Sequence, residues 1–130
     1  MTSIYKIAIS LIGSFVLGAG MMQILHAQSK PPAYGFAEIA VKDEEGYKKD
    51  YLPEAQRMIR EAGGKYIAGG FNKATTLTGA APPNRVILIQ YDNMDALMKA
   101  WEGGLRDWQE KNGDKYATFR ALAIEGVEQK

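Results

Sequence analysis

The chain has 130 residues, with 16 basic and 15 acidic side chains, one histidine and no cysteine. This length allows a single domain, and the near-zero net charge supplies neither the basic field that nucleic acid requires nor an acidic field for a cationic partner. Without cysteine, disulfide bonds cannot stabilise that domain.

Residues 1–27 have the layout of a secretory signal peptide. Lys6 is their only charge, residues 7–22 are almost wholly apolar, and the small residue Ala27 precedes Gln28. This pattern predicts cleavage after Ala27 and a periplasmic or secreted mature protein. The apolar run is shorter than the roughly 20 residues that span a bilayer, which favours cleavage over the alternative, an uncleaved N-terminal membrane anchor. Cleavage also removes His26, and it leaves 15 basic and 15 acidic residues in a formally neutral protein.

The first half of the mature chain predicts a linker, a strand and a helix. Residues 28–33 contain two prolines and form the linker, and the domain spans residues 34–127. In the strand 34–41, the odd positions are small or aliphatic and suit packing under helices. The helix begins after the N-cap Asp43 and runs to Ala62, before a glycine pair. Pro53 predicts a kink or a division into two short helices.

The second half predicts two strands, a divided helix and a final strand. The β region 65–78 is broken by the pair Gly69-Gly70, which indicates a bulge or bend. Residues 79–84 form a hairpin connection into the apolar strand 85–93. Asn93 is the N-cap of the next helix, which stops at a glycine pair and is followed by a short helical segment, 105–112. The last strand covers residues 116–126, with Phe119, Leu122 and Ile124 as its anchors.

The order β-α-β-β-α-β predicts an α+β fold of the ferredoxin-like type, with a four-stranded antiparallel sheet and both helices on one face. The apolar strand is expected to be central, with Ile87, Ile89 and Tyr91 under the helices. Its other side carries Val86, Leu88 and Gln90 and, together with Tyr34 and Phe36 of the first strand, is too apolar to face water. A second copy of the same sheet is the simplest cover, so we expect a homodimer.

Four motifs resemble the family called domain of unknown function 1330. They are the strand 34–41 followed by Asp43, Gly-Gly-Lys-Tyr at 63–66 with Gly69-Gly70, Pro-Asn-Arg-Val-Ile-Leu-Ile-Gln-Tyr at 83–91, and Ile-Glu-Gly-Val at 124–127. The resemblance covers residues 34–127 and implies a dimeric α+β barrel, in which two ferredoxin-like sheets face each other. It implies no reaction. This chain departs from the family in its export leader and in Gln90, where relatives often carry Glu.

Metal, cofactor and triad chemistry find little support in the sequence. The mature chain has no His and no Cys, which are the ligands of zinc, copper and haem sites and the partners in nucleophilic triads. Asp43, Glu44 and Glu45 are better explained as the charged start of a helix. The glycine pairs match no phosphate-binding or dinucleotide-binding loop. We therefore predict no metal and no cofactor.

Nine residues are candidates for a ligand site between sheet and helices. Glu38 is the candidate catalytic acid or base, and the ligand-binding candidates are Tyr34, Phe36, Asn72, Arg85, Gln90, Trp101, Trp108 and Arg120. An unpaired Glu38 in an apolar cleft would have a raised pKa, whereas the alternative is a structural pair with Arg120 or a dimer contact. Arg85 could bind a ligand carboxylate or lie exposed at the strand edge. The two tryptophans line a pocket or simply pack between helix and sheet.

Two functions follow from these alternatives. In the first, the protein is an exported dimeric barrel that binds a small, partly apolar organic molecule between sheet and helices; an isomerase or cofactor-independent monooxygenase is the enzymatic version, by fold analogy only. In the second, it is a non-catalytic structural or stress-related envelope protein whose barrel face is only a dimer interface. An open cleft supports the first function, and a packed interior with Glu38 in an ion pair supports the second.

Overall fold

The computed structural model describes residues 30–128, so the predicted leader and the first residues of the predicted linker lie outside it. The elements are β1 (Ala33–Val41), the helical region α1 (44–61), β2 (Lys65–Phe71), β3 (Arg85–Tyr91), the helical region α2 (94–113) and β4 (Ala117–Glu125). The strands form one sheet in the order β2-β3-β1-β4, with every neighbouring pair antiparallel. This order confirms the ferredoxin-like α+β fold. Among the described residues, no helix has the length and apolar character needed to cross a membrane.

Region α1 begins and is interrupted where its polar and proline residues predict. The Asp43 carboxylate accepts a hydrogen bond of 3.0 Å from the Gly46 amide, as an N-cap does. A short α-helix, Glu44–Gly46, leads into a π-helical turn, Tyr47–Tyr51, and then into the α-helix Leu52–Glu61, which has Pro53 in its first turn. Because proline has no amide hydrogen, the regular hydrogen-bond ladder cannot continue through it. The predicted interruption is therefore confirmed.

Region α2 is likewise divided at a glycine. The Asn93 side chain accepts a hydrogen bond of 2.9 Å from Ala96 and starts the helix Met94–Ala100. A π-helical turn, Trp101–Leu105, follows, and Gly104 leaves the helical conformation with φ 157°. The chain then continues through a short α-helix and a second π-helical turn to Gly113. The predicted division at the glycine pair is confirmed.

The core lies between the helices and one face of the sheet. Alternate residues of β3, from Arg85 to Tyr91, are buried beneath the helices, which confirms the predicted orientation of this strand. Tyr47 and Tyr51 of α1 and Leu97 of α2 pack on them. Full burial of one large apolar side chain stabilises a fold by about 1.5–3 kcal/mol, so this layer is the main source of stability.

Strand β2 is shorter than the predicted β region 65–78. It ends at Phe71, and residues 72–84 have no regular structure. Asn72 takes a left-handed conformation, φ 55°, and its amide donates to the Asn84 carbonyl. The Asn84 side chain then accepts from the Val41 amide at 2.8 Å and donates to the Val41 carbonyl at 2.9 Å. Since prolines 82 and 83 have no amide hydrogen, this side chain replaces the backbone pairing at the start of β3.

The glycine pair of β2 marks a distortion of the sheet. The register against β3 shifts between Tyr66 and Ala68, and Gly69 follows with φ 94°. A β-carbon on Gly69 would overlap the backbone carbonyl of Val86. The predicted irregularity is present, and it requires glycine because the neighbouring strand comes so close.

The face of the sheet away from the helices is uncovered in the single chain. On this face, Phe36 lies beside Leu88 and Leu122 of the neighbouring strands, and Tyr34 lies beside Ile124. Leu122 and Ile124 are 46% and 45% exposed. The three predicted anchors of β4 therefore divide between two faces, because alternate side chains of a strand point in opposite directions. Phe119 packs against the core, and the other two lie on this surface, which we call the open face.

Candidate functional site

A cleft of about 330 Å³ lies between the helix-facing side of the sheet and the two helical regions. Its floor includes the cross-strand pairs Gly35 with Ala123 and Ala37 with Ala121. Because these four residues are small, they leave space that larger strand residues would fill. The cleft opens beside β4, where both alanines are exposed. Its volume is in the range of small-molecule sites.

The walls of the cleft are mainly apolar and aromatic. Region α1 contributes Tyr47, Tyr51, Leu52, Ala55 and Ile59, and region α2 contributes Leu97, Met98, Trp101, Leu105 and Gln109. The π-helical turn of α1 places Tyr47 and Tyr51 on the sheet side, where their ring centroids are 5.2 Å apart. Few polar groups interrupt this lining, so the cleft favours a ligand with a substantial apolar body.

Arg85 is the one charged residue among the described residues that line the cleft. It is only 6% exposed, and its Nε has no hydrogen-bond partner. The guanidinium carbon lies 4.9 Å from the centroid of the Phe71 ring and 5.9 Å from that of the Tyr47 ring. Position 85 shares the helix side of β3 with Ile87, so Arg85 is not the exposed strand-edge residue that the sequence left as an alternative.

Four tyrosines at the cleft are held in their neutral form. Burial raises the pKa of Tyr47, and the neighbouring charge of Arg85 offsets part of this pKa shift. Burial also raises the pKa of Tyr51 and of Tyr91 above the ordinary phenol value, and partial burial raises the pKa of Tyr66 to about 12. At neutral pH these phenols donate and accept hydrogen bonds but are poor bases.

The raised pKa values predict a loss of stability at alkaline pH. A phenol whose folded-state pKa exceeds its unfolded value stabilises the fold fully below the unfolded pKa, 10.0, and loses that contribution as the pH rises through the folded pKa. For Tyr66 the loss falls between about pH 10 and 12. Urea midpoints measured at pH 9, 10 and 11 should fall less steeply for Tyr66→Phe than for the wild type. Parallel curves for the two proteins would contradict this assignment.

Three of the nine predicted site residues border the cleft: Phe36, Arg85 and Trp101. Phe36 has its cross-strand neighbours, Leu88 and Leu122, on the open face. It borders the cleft because it follows Gly35 in β1, at the edge of the cleft floor. Trp108 instead supports the helices, because its Nε1 donates a 3.0 Å hydrogen bond to the Tyr51 carbonyl and its ring stacks on that of Tyr51.

The other candidates lie away from the cleft. Glu38 accepts a 3.0 Å hydrogen bond from Arg120, its direct cross-strand neighbour, and the two side chains are 34% and 64% exposed. Tyr34 and Gln90 are cross-strand neighbours near the end of the open face, and Asn72 is in the exposed turn after β2. The Glu38–Arg120 ion pair therefore lies on the open face of the sheet, whereas Arg85 lies on the side that faces the helices. Within residues 30–128, no group of acidic or histidine side chains is arranged to hold a metal ion.

Several cleft residues were not singled out from the sequence. Among them are Tyr47 and Tyr51 of α1 and Gln109 of α2. A usable signal was present in the strands, since Gly35, Ala37, Ala121 and Ala123 are all small and occupy alternate positions of β1 and β4. Small residues on the helix side of two adjacent strands indicate a gap beneath the helices.

Fold and cleft together define this molecule as a ferredoxin-like α+β domain with an apolar cleft between its sheet and its helices. Residues 32–127 match the model of the domain of unknown function family DUF1330, and the chain belongs to that family. This confirms the resemblance found in the sequence motifs.

Solved structures of a protein of unknown function from Rhodopseudomonas palustris share the fold. One has 13% sequence identity and a TM-score of 0.58, over 85% of this chain and 94% of that chain. The methylated form of the same protein has 13% identity and a TM-score of 0.55, over 84% and 91% of the respective chains. No curated protein matches this chain. At this identity the likeness concerns the fold alone.

Proposed function

We propose that the mature protein binds a small, partly apolar organic molecule in the cleft between sheet and helices, and that it does so without a cofactor. The observation that carries this proposal is the open cleft of about 330 Å³ with its aromatic and aliphatic walls. Its lining, among the described residues, contains no carboxylate, imidazole or amine. Binding therefore fits the site better than acid–base catalysis does. The predicted leader would export the protein, so that binding would take place outside the cytoplasm.

The proposed assembly is a homodimer through the open face. Exposed apolar side chains cover this face, and a contiguous apolar surface on a small domain is typical of an interface. In β1, β3 and β4, within residues 30–128, its charged side chains are Glu38 and Arg120, which form an ion pair, and Lys65 at the start of β2 is in register with Gln90 on the same face. A surface that is mostly apolar and has one further charge at its edge can contact its own copy about a two-fold axis. The occupant we propose is therefore a second copy of this chain.

A structural envelope protein is the second candidate function. The pairing of Glu38 with Arg120 favours it, because a paired carboxylate on a contact surface has a structural role. In that case the open face would form the dimer and the cleft would bind nothing specifically. Ligand binding and dimer formation are thus separable by experiment.

The binding proposal is tested with N-phenyl-1-naphthylamine, an uncharged probe that fluoresces in apolar surroundings. We expect saturable binding with one probe per chain. In the double variant Ala121→Leu with Ala123→Leu, the added side chains occupy the cleft floor, and affinity should fall at least about tenfold, or about 1.4 kcal/mol. The double variant Ala74→Leu with Ala80→Leu is the control, since it adds the same volume in the exposed loop 72–84. Equal binding by the double variant would exclude the cleft as the site.

A further inference from the structure

We propose that the cleft selects a monoanionic ligand, an apolar body bearing one carboxylate, and that Arg85 binds this carboxylate. The inference rests on the proposed ligand-binding function and deepens it by naming the class of ligand.

The charge of Arg85 has no counter-ion among the described residues of the domain. Arginine remains protonated in proteins, and a buried cation is costly unless an anion or several hydrogen bonds compensate it. Arg85 is 94% buried, and Nε has no hydrogen-bond partner. The ion pairs among residues 30–128 involve Arg57, Arg120 and Lys48 but not Arg85. No carboxylate of the described domain pairs with Arg85, so an anion from outside the domain would supply the compensating charge.

Two aromatic rings hold the guanidinium of Arg85 in place. The Phe71 and Tyr47 rings lie 4.9 and 5.9 Å from its carbon, and such contacts with aromatic rings orient a guanidinium without neutralising it. The Lys48 Nζ lies 4.6 Å from the centroid of the same Phe71 ring, so a second positive charge is close to Arg85. Lys48 itself forms an ion pair of 2.9 Å with Glu44. An oriented, unneutralised guanidinium suits bidentate binding of a planar carboxylate.

The charge and polarity of the cleft favour a monoanion with an apolar body. Arg85 is the one ionised residue among the described residues that line it. A single guanidinium matches a monoanion, whereas a phosphate dianion would keep an uncompensated charge in apolar surroundings. The neutral hydroxyl of Tyr47, which lies within hydrogen-bonding reach of Arg85, supplies a further donor. The apolar walls then accommodate the rest of the ligand.

Binding of matched acids and amides tests this selectivity. The probes are benzoate, trans-cinnamate and 2-naphthoate, each compared with its uncharged amide by calorimetric titration at pH 7. We expect at least one carboxylate to bind the wild-type protein tenfold or more tightly than its amide. Because this comparison uses the wild type alone, it does not depend on how any variant folds. If every carboxylate binds no more tightly than its amide, the proposal that the ligand is a monoanion is overturned.

Variants then assign the selectivity to Arg85. In Arg85→Gln the preference for the carboxylate should disappear while the amide binds within about threefold of wild type, and Arg85→Lys should retain part of the preference. Arg57→Gln is the matched control, because Arg57 is exposed on α1 and paired with Glu54 and Glu61; its preference should equal that of the wild type. An unchanged preference in Arg85→Gln would remove Arg85 from the site. Binding of N-phenyl-1-naphthylamine without any carboxylate preference would overturn this inference and leave the proposed function standing.

Discussion

Leu88→Glu is expected to give a monomer under conditions in which the wild-type chain is a dimer. Leu88 lies in the middle of the open face, on the central strand β3, where it pairs with Phe36 on one side and Ala68 on the other. In the proposed dimer, the substitution places two carboxylates in an apolar contact about the two-fold axis. Desolvating unpaired charges opposes association strongly. We expect the dimer dissociation constant to rise at least about 100-fold, or about 2.7 kcal/mol.

The fold of this variant should survive, because Leu88 is only partly buried in the single chain and lies outside the cleft lining. A glutamate there can keep its water in the monomer. Sedimentation velocity over a range of micromolar concentrations measures the assembly, and far-UV circular dichroism checks the fold. Leu77→Glu is the control, since it makes the same chemical change at a residue that is 96% exposed in the loop 72–84. A wild-type monomer at these concentrations, or a dimeric Leu88→Glu, would refute the proposed interface.

Gly69→Ala should destabilise the fold far more than a glycine-to-alanine substitution elsewhere in the sheet. The residue has φ 94°, which is unfavourable for any side chain, and its β-carbon would overlap the Val86 carbonyl. Since a backbone atom of the central strand cannot move without disturbing the pairing of β3, the sheet must shift. We expect a loss of at least about 2 kcal/mol in the free energy of unfolding.

Gly35→Ala is the matched comparison for this substitution. Gly35 is also in the sheet, but a β-carbon there would lie 3.8 Å from Tyr91 and 3.9 Å from Leu97, at ordinary contact distances. This variant should unfold within about 1 kcal/mol of the wild type. Urea unfolding followed by tryptophan fluorescence measures both, at equal chain concentration because the proposed dimer would affect stability. Equal stabilities for the two variants would show that β2 does not need a glycine at position 69.

Local chemistry explains why much of the fold could be predicted. Asp43 and Asn93 start helices because their side chains accept hydrogen bonds from amides three residues later. Pro53 and Gly104 interrupt helices through their own backbone properties. Each of these effects acts within a few residues, so a single sequence displays it. The end of β2 was misplaced because it depends on contacts of Asn84 with Asn72 and with Val41, which is 43 residues away.

Residue patterns along the chain were enough to predict the βαββαβ order, the starts and breaks of the helices, and the side of β3 that faces the helices. Where the candidate residues lie, and which residues they contact, depends on the tertiary structure. Strand pairing places Glu38 opposite Arg120 and brings Gly35 beside Ala123, and packing of α1 on β3 buries Arg85 near Tyr47. Residues so far apart in the chain meet only through the register of the sheet and the position of the helices on it. The open face followed from the alternation of side chains along each strand, whereas the cleft and the burial of Arg85 beside it followed from packing between elements.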